Sequence, residues 1–134
     1  WWATLDGGSF YKGKRCSTSS TQKIEKSRLV CTSPAIFSTE ELNQFQNLAK
    51  SVRVERYGGD CFNYGALACG WVELVAEASL QFYDIAALVV IIEEAGGIVT
   101  DWSGDPVRMG WDGTVLAAAN LDLHEQALEL LYYP

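Results

Sequence analysis

Asp84 precedes a run of apolar residues, 85–92, and is expected to stand where a helix begins. A carboxylate in that position faces the unpaired N–H groups of the first helical turn and is oriented by them. Such a carboxylate can also ligate a divalent cation. The ordinary alternative is a plain helix N-cap, which contributes about 1 kcal/mol to stability.

Two further features are placed where chemistry could occur. Residues 58–61 read Gly-Gly-Asp-Cys between a predicted strand and a predicted helix. Glycines let a ligand approach the backbone closely, although this spacing matches neither the dinucleotide-binding nor the P-loop pattern. Glu77 is expected just beyond the carboxyl end of a strand, where ligands gather in open α/β sheets. The ordinary alternatives are a tight turn and a solvated charge at a strand end.

Other residue types narrow the possible chemistry. His124 is the only histidine and is expected on the surface near the start of the last helix, so no Ser/His/Asp triad can be built within this chain. An acidic loop contains Asp101, Asp105 and Asp112, but their spacing does not match a calcium-binding loop.

The four cysteines have spacings unlike those of a zinc site or a disulfide framework. The sequence favours buried free thiols in a reducing compartment. These residues are Cys16, Cys31, Cys61 and Cys69.

Composition argues against two kinds of partner. The net charge of -7 offers no basic face for nucleic-acid phosphates. The apolar run at residues 85–92 is far shorter than the roughly 20 residues needed to cross a bilayer. We therefore expect no nucleic-acid or membrane partner and a cytoplasmic location.

The order of predicted elements indicates an α/β protein. From Leu29 onward strands and helices alternate, which is typical of a mixed or partly parallel sheet flanked by helices. The helix at residues 84–94 should be buried nearly all round. Residues 1–28 read as antiparallel strands followed by a charged connector, and residues 29–134 as the α/β domain. The opening Trp-Trp-Ala resembles the middle of a strand, so we expect the chain to be a piece of a longer protein.

Several elements occur at a spacing that resembles the C-terminal signature of the inositol monophosphatase family. They are Tyr-Asp-Ile-Ala-Ala at residues 83–87, Glu-Ala-Gly-Gly at 94–97, Thr-Asp at 100–101, and Gly104. Tyr83 replaces the usual Trp, which resembles the histidinol-phosphate phosphatase branch, as does Arg-Tyr-Gly-Gly-Asp-Cys at residues 56–61. The resemblance covers nearly the whole chain and implies half of an αβαβα sandwich.

The resemblance also implies a Mg²⁺-dependent phosphomonoesterase acting on a small phosphorylated substrate. Asp84 matches a metal-ligating aspartate that also contacts substrate, and Glu77 matches an acidic residue that contacts the non-phosphate part of the substrate. A carboxylate at Glu77 would pair with an amine, which favours histidinol phosphate over a neutral polyol. Substrate-binding residues implied with these are Gly59, Asp60, Cys61 and Ser33.

The family's other metal ligands, a Glu-Glu pair and an Asp-Pro-x-Asp-Gly-Thr loop, do not occur in this sequence. We therefore expect this polypeptide alone to be inactive and to require a missing N-terminal half. Alternatives within the family are inositol or sugar phosphatases. An alternative from another class is a non-catalytic binding or assembly module, whose apolar N-terminal residues favour homo-oligomers.

Overall fold

The computed structural model describes residues 1–132, which form two β-sheets, four α-helices and two short 3-10 helices. The strands are β1 (Trp2–Thr4), β2 (Gly8–Tyr11), β3 (Lys14–Arg15), β4 (Arg28–Cys31), β5 (Val54–Tyr57), β6 (Leu74–Glu77), β7 (Ile98–Thr100) and β8 (Val115–Ala118). The helices are α1 (Thr39–Ser51), α2 (Phe62–Ala68), α3 (Phe82–Glu93) and α4 (Leu121–Tyr132). The 3-10 helices are Ile24–Lys26 and Pro34–Ile36.

The main sheet is mixed. Its strand order is β5-β4-β6-β8-β7, with β5, β4 and β6 parallel and with β8 antiparallel to both of its neighbours. The first three strands form a separate antiparallel sheet in the order β1-β2-β3. The predicted class, a mixed sheet flanked by helices and preceded by antiparallel strands, is confirmed.

Alternating side chains along the strands build a core on each face of the main sheet. Leu29 and Leu74 are fully buried on the face covered by α1 and α4. Val30 and Val75 point to the opposite face, where α2 and α3 pack. Complete burial of one such aliphatic side chain contributes about 1.5–3 kcal/mol. The two cores therefore fix the sheet between two layers of helices.

The sequence predicts a helix that starts at residues 39–41 with Ser38 or Thr39 as its cap, and helix α1 begins there with Ser38 as the cap. The Ser38 hydroxyl accepts a hydrogen bond from the Glu41 N–H at 3.2 Å, and the Glu41 carboxylate accepts one from the Ser38 N–H at 2.6 Å. This reciprocal capping box satisfies two backbone donors that have no partner inside the helix. Phe45 and Leu48 then face the core at helical spacing.

Helix α3 differs from its prediction in two respects. It begins at Phe82 with Gln81 as its cap, so Asp84 lies at the third helical position rather than at the start. Its fully buried residues within the described chain are Ile85 and Ile92, so the expectation of burial nearly all round is wrong. The apolar sequence of α3 favours burial, but this chain fully covers only the side of the helix that carries Ile85 and Ile92.

The antiparallel sheet contacts the helices through Glu94, which follows α3, and through Trp1, which precedes β1. The Glu94 carboxylate accepts hydrogen bonds from the N–H groups of Asp6 and Gly8 at 2.7 and 2.8 Å. The Trp1 indole lies against α2 at Gly65, where an added Cβ would be 2.6 Å from the ring. The absence of a side chain at Gly65 therefore makes room for the indole.

Two expectations about the last third of the chain are wrong. His124 is buried rather than exposed, and its Nε2 lies 2.8 Å from the Thr100 hydroxyl. Burial lowers the pKa of His124. The sequence also predicts a last helix over residues 124–133, but helix α4 begins earlier, at Leu121, and the predicted end at Tyr133 lies outside the described residues.

The cysteines are free, as expected. Cys16 and Cys31 are buried, but Cys69 is half-buried and Cys61 is exposed, so the expectation of burial is wrong for the last of these. No helix within residues 1–132 is long and apolar enough to cross a membrane. The division of the chain between residues 28 and 29 stays a prediction.

The ion pair between the partly exposed Arg28 and the buried Glu73, at the start of β4, yields a stability prediction. Replacing Glu73 by Gln is expected to lower the free energy of unfolding by about 2 kcal/mol at pH 7, because hydrogen bonds to a charged group are lost. Burial alone would raise the pKa of Glu73, but its hydrogen bonds from Arg28 outweigh burial and hold that pKa below its usual value. The contact's stabilisation is thus present above the unfolded-state pKa and is lost as pH falls through the lower folded-state pKa.

Urea unfolding at pH 7 and at several values below about pH 4.5 would measure both effects. The Glu73→Gln variant should show a flatter dependence of stability on pH than the parent chain. Glu125→Gln, which removes an exposed carboxylate from α4, is the matched control and should behave like the parent. Equal stability of Glu73→Gln and the parent at pH 7 would contradict the assigned role.

Candidate active site

A cleft of about 330 Å³ opens at the carboxyl end of the parallel strands β4 and β6. Because β4 and β6 run in the same direction, the residues that follow each strand meet at one edge of the sheet. Four of the predicted site residues line the cleft: Asp60, Cys61, Glu77 and Asp84. The fold therefore gathers side chains that are separated in sequence.

The turn before α2 is held against the end of β4 by its backbone. The Gly58 N–H lies 3.0 Å from the carbonyl oxygen of Cys31 and 2.9 Å from that of Thr32. Gly58, Gly59 and Asp60 all have positive φ, which turns the chain sharply before the helix. A Cβ on Gly59 would be 2.4 Å from the Asn63 amide oxygen, so this position is closed to larger residues.

Glu77 is the last residue of β6, and its side chain is buried rather than solvated. Its Oε1 accepts hydrogen bonds from the Thr32 N–H at 2.8 Å and from the Thr32 hydroxyl, and its Oε2 accepts one from the Tyr64 hydroxyl at 2.7 Å. Within residues 1–132 no cationic side chain forms an ion pair with Glu77. The carboxylate is thus held by neutral donors at the cleft wall.

The two titratable neighbours of Glu77 are poor acids. Burial, followed by the charge of Glu77, raises the pKa of Tyr64 well above its usual value. Burial also raises the pKa of Cys31 to about 12, with a smaller contribution in the same direction from Glu77. Tyr64 therefore remains a hydrogen-bond donor and Cys31 remains a thiol at neutral pH, which makes neither of them suited to act as a base.

Asp84 reaches the cleft from the first turn of α3. Its Oδ2 accepts a hydrogen bond from the Gln81 N–H at 2.8 Å, within a capping box between Gln81 and Asp84. This contact orients the carboxylate through the backbone of α3. The side chain is exposed, so its other oxygen is available to a ligand.

The remaining predicted residues stand beside the cleft wall. Ser33 follows Thr32 and caps the short helix Pro34–Ile36, accepting a hydrogen bond from the Ala35 N–H at 3.2 Å. Gly59 precedes Asp60 in the turn described above. The wall also contains residues that the sequence reasoning missed, among them Thr32, Tyr64 and Ser79.

The described residues do not by themselves fit a metal site. Within residues 1–132 no group of three or more His, Cys, Asp or Glu side chains is placed to hold a metal ion. Asp84 offers one hard oxygen ligand, which suits Mg²⁺, but a magnesium site also needs water, phosphate or further carboxylates. The chain therefore supplies one candidate ligand rather than a complete centre.

Comparison with known proteins gives the arrangement a context. The inositol monophosphatase family model matches residues 1–132. The chain is 41% identical over 128 residues to the bifunctional phosphatase IMPL2, chloroplastic, of Arabidopsis thaliana, a match that covers 89% of this chain and 36% of the relative. It is 34% identical over 140 residues to a histidinol-phosphatase of Streptomyces coelicolor, covering 98% of this chain and 50% of the relative.

A solved structure indicates the same family as the sequence relatives. An inositol monophosphatase from Zymomonas mobilis superimposes with a TM-score of 0.94 at 37% identity, covering 98% of this chain and 52% of that one. The chain spans about half the length of these proteins, or less. Since the family match extends over almost every residue, the chain belongs to the inositol monophosphatase family.

Proposed function

We propose that this chain is the C-terminal part of a Mg²⁺-dependent phosphomonoesterase that hydrolyses histidinol phosphate to histidinol and phosphate. The observation that carries the proposal is the buried Glu77 carboxylate, which lines the cleft without a cationic partner among residues 1–132. A buried carboxylate is costly unless it is paired or well hydrogen-bonded. The ammonium group of a substrate would supply the missing positive charge.

The chemistry of Glu77 favours an amino-alcohol phosphate over a neutral polyol phosphate. Its three hydrogen bonds from Thr32 and Tyr64 fix the carboxylate's orientation before substrate arrives. An ammonium group would form a charge-assisted hydrogen bond, which is stronger than a bond from a neutral hydroxyl. The similarity to a histidinol-phosphatase of Streptomyces coelicolor supports the same substrate, whereas inositol and sugar phosphates remain the alternatives within the family.

In this proposal Asp84 contributes one ligand to the metal, and the other ligands come from an N-terminal half outside this chain. The metal, when bound, would activate water and neutralise phosphate charge. Asp60 and Cys61, together with the adjacent Gly59, would shape the wall against which the substrate lies, and Ser33 would border its far side. Residues 1–28 would belong structurally to the antiparallel layer of the missing half.

The amine contact predicts a substrate-dependent effect of Glu77→Gln in the full-length enzyme. With histidinol phosphate, kcat/KM should fall about 10- to 100-fold, because the lost charge-assisted hydrogen bond contributes about 1.5–3 kcal/mol. With inositol phosphate the decrease should stay within about threefold. Steady-state kinetics with both substrates would measure the difference.

Tyr64→Phe is the matched control for Glu77→Gln, because it removes a hydrogen bond to Glu77 and leaves the charge. It should lower activity on both substrates to a similar, smaller extent. If Glu77→Gln slowed both substrates equally, the amine contact would be wrong.

The metal role predicts that Asp84→Asn in the full-length enzyme lowers kcat/KM by at least about 100-fold and weakens Mg²⁺ binding. An amide oxygen keeps the capping contact with Gln81 but loses the negative charge. Calorimetric titration with Mg²⁺ would measure binding directly, with Asp122→Asn in the first turn of α4 as the control. Unchanged Mg²⁺ affinity in Asp84→Asn would exclude it as a ligand. The isolated chain should show no hydrolysis.

A second candidate, a binding or assembly module, is favoured by the apolar residues that this chain leaves exposed. Trp2 is 53% exposed and Phe62 is 50% exposed, although the Trp2 ring stacks on Phe10. The aliphatic residues of α3 at positions 88–91 are also half-exposed. Large exposed apolar surfaces are typical of protein interfaces.

The isolated chain is therefore expected to self-associate and to bind the dye ANS. Trp2→Lys should reduce both, because it places a charge within the apolar surface. Met109→Lys, at a more open position that is 83% exposed, is the control and should have little effect. Light scattering that showed a monomer without ANS fluorescence would count against assembly.

A further inference from the structure

We propose that Cys16 and Cys69 form a redox modification site that is oxidised to a disulfide by small, negatively charged disulfides such as glutathione disulfide. The two sulfur atoms lie 3.6 Å apart although 53 positions separate the residues. A disulfide needs a sulfur–sulfur distance of about 2.05 Å, so the atoms must approach by about 1.5 Å. Side-chain rotation is the motion that would bring them together.

The two cysteines have different surroundings, which assigns them different roles. Cys69 directly follows α2 and is half-buried, and its sulfur accepts a hydrogen bond from the Trp1 indole N–H at 3.2 Å. Cys69 is more exposed than Cys16, and the rate of disulfide exchange depends on access to the attacking sulfur. Cys69 is therefore the thiol that reacts first.

Cys16 is the resolving thiol. It is buried, and burial, followed by the neighbouring Cys69, raises the pKa of Cys16. The buried Ser9 hydroxyl has no hydrogen-bond partner of normal geometry within residues 1–132. Because it lies close to Cys16, it lowers the pKa of that thiol and partly offsets the effect of burial. That hydroxyl is available to donate to the Cys16 sulfur when the thiolate forms.

A pocket of about 200 Å³ gives an oxidant access to the pair. Its wall includes both cysteines together with Lys14 and Arg15. The two cations would attract carboxylates on the oxidant, since opposite charges raise the local concentration of a ligand. The pocket therefore favours an anionic disulfide over a neutral one as the oxidant.

The reaction is a two-step exchange. The Cys69 thiolate attacks one sulfur of the external disulfide, which breaks its S–S bond, releases one thiolate and leaves a mixed disulfide on Cys69. Cys16 loses its proton to water and attacks the Cys69 sulfur, which releases the second thiolate. The protein thiols lose two electrons and two protons in all, and the external disulfide is reduced to two thiols.

The bond would link two layers of the fold. Cys16 directly follows β3, at the end of the antiparallel sheet, whereas Cys69 directly follows α2. Oxidation would therefore fasten the antiparallel sheet covalently to the helical layer and raise the melting temperature by roughly 5–10 °C.

The test equilibrates the purified chain with graded ratios of glutathione disulfide to glutathione, then maps thiols by alkylation, proteolysis and mass spectrometry. The expected product is a Cys16–Cys69 cross-linked peptide that reduction removes. Cys31, which is fully buried, should stay alkylatable only after unfolding and serves as an internal control. Because the readout uses the unaltered chain, it does not depend on the folding of any variant.

Variants separate the proposed roles. Cys61→Ser should leave the cross-link intact, whereas Cys16→Ser should trap a glutathionyl group on Cys69. Lys14→Gln should slow oxidation by glutathione disulfide several-fold but leave the rate with neutral hydroxyethyl disulfide unchanged. Glutathionylated Cys61 alongside fully reduced Cys16 and Cys69, at the most oxidising ratio, would overturn the proposal. Cross-links from Cys16 or Cys69 to Cys61, at the same yield as the Cys16–Cys69 cross-link, would also overturn it.

Discussion

Two buried carboxylates, one at each end of β6, hold the centre of the main sheet in register. At one end the Glu73 carboxylate accepts hydrogen bonds from Arg28 through the backbone N–H at 2.8 Å and through the guanidinium at 2.9 and 2.6 Å. At the other end Glu77 accepts from Thr32. Both contacts join β4 to β6, so the parallel pair of strands that positions the cleft is held together without a bound ligand.

The two ends of this pair differ in charge. Glu73 is neutralised by Arg28, whereas Glu77 has only neutral donors among residues 1–132. A neutralised carboxylate is a structural contact, but one held only by neutral donors retains an unbalanced charge in a region of low dielectric. The buried carboxylate at the start of β6 is thus a structural contact, whereas the one at its end is available to recognise a ligand. This asymmetry is the physical basis for the proposed amine preference.

The sequence predicted the elements well because their local signals agree with the fold. Alternating strands and helices, the Ser38 cap and the glycine-rich turn all depend on neighbouring residues. The wrong predictions concern burial, which depends on contacts between residues that are distant in sequence. His124 lies on the inner side of α4 because Thr100, which is remote in sequence, offers a partner for its ring. The burial of α3 depends on which of its sides this chain covers, which periodicity alone does not indicate.

Only part of the candidate site could be predicted from the sequence, because some of its residues are brought together by contacts between distant parts of the chain. Local position and resemblance to family motifs both indicated Asp84 and Glu77, but neither indicated Tyr64 and Thr32 as site residues, because these contact Glu77 only through the fold. The cysteine pair shows the same limit, since no sequence spacing predicts that Cys16 lies beside Cys69.

Asp84 shows how one residue can serve both the fold and the proposed site. One of its oxygens accepts a hydrogen bond from the Gln81 N–H, which stabilises the first turn of α3. That bond also restricts the rotation of the carboxylate, so its orientation is set by the helix and not by a cation. A ligand that is ordered in advance loses less conformational entropy on binding. This half of the fold would therefore present a preoriented ligand to a metal whose remaining partners lie elsewhere.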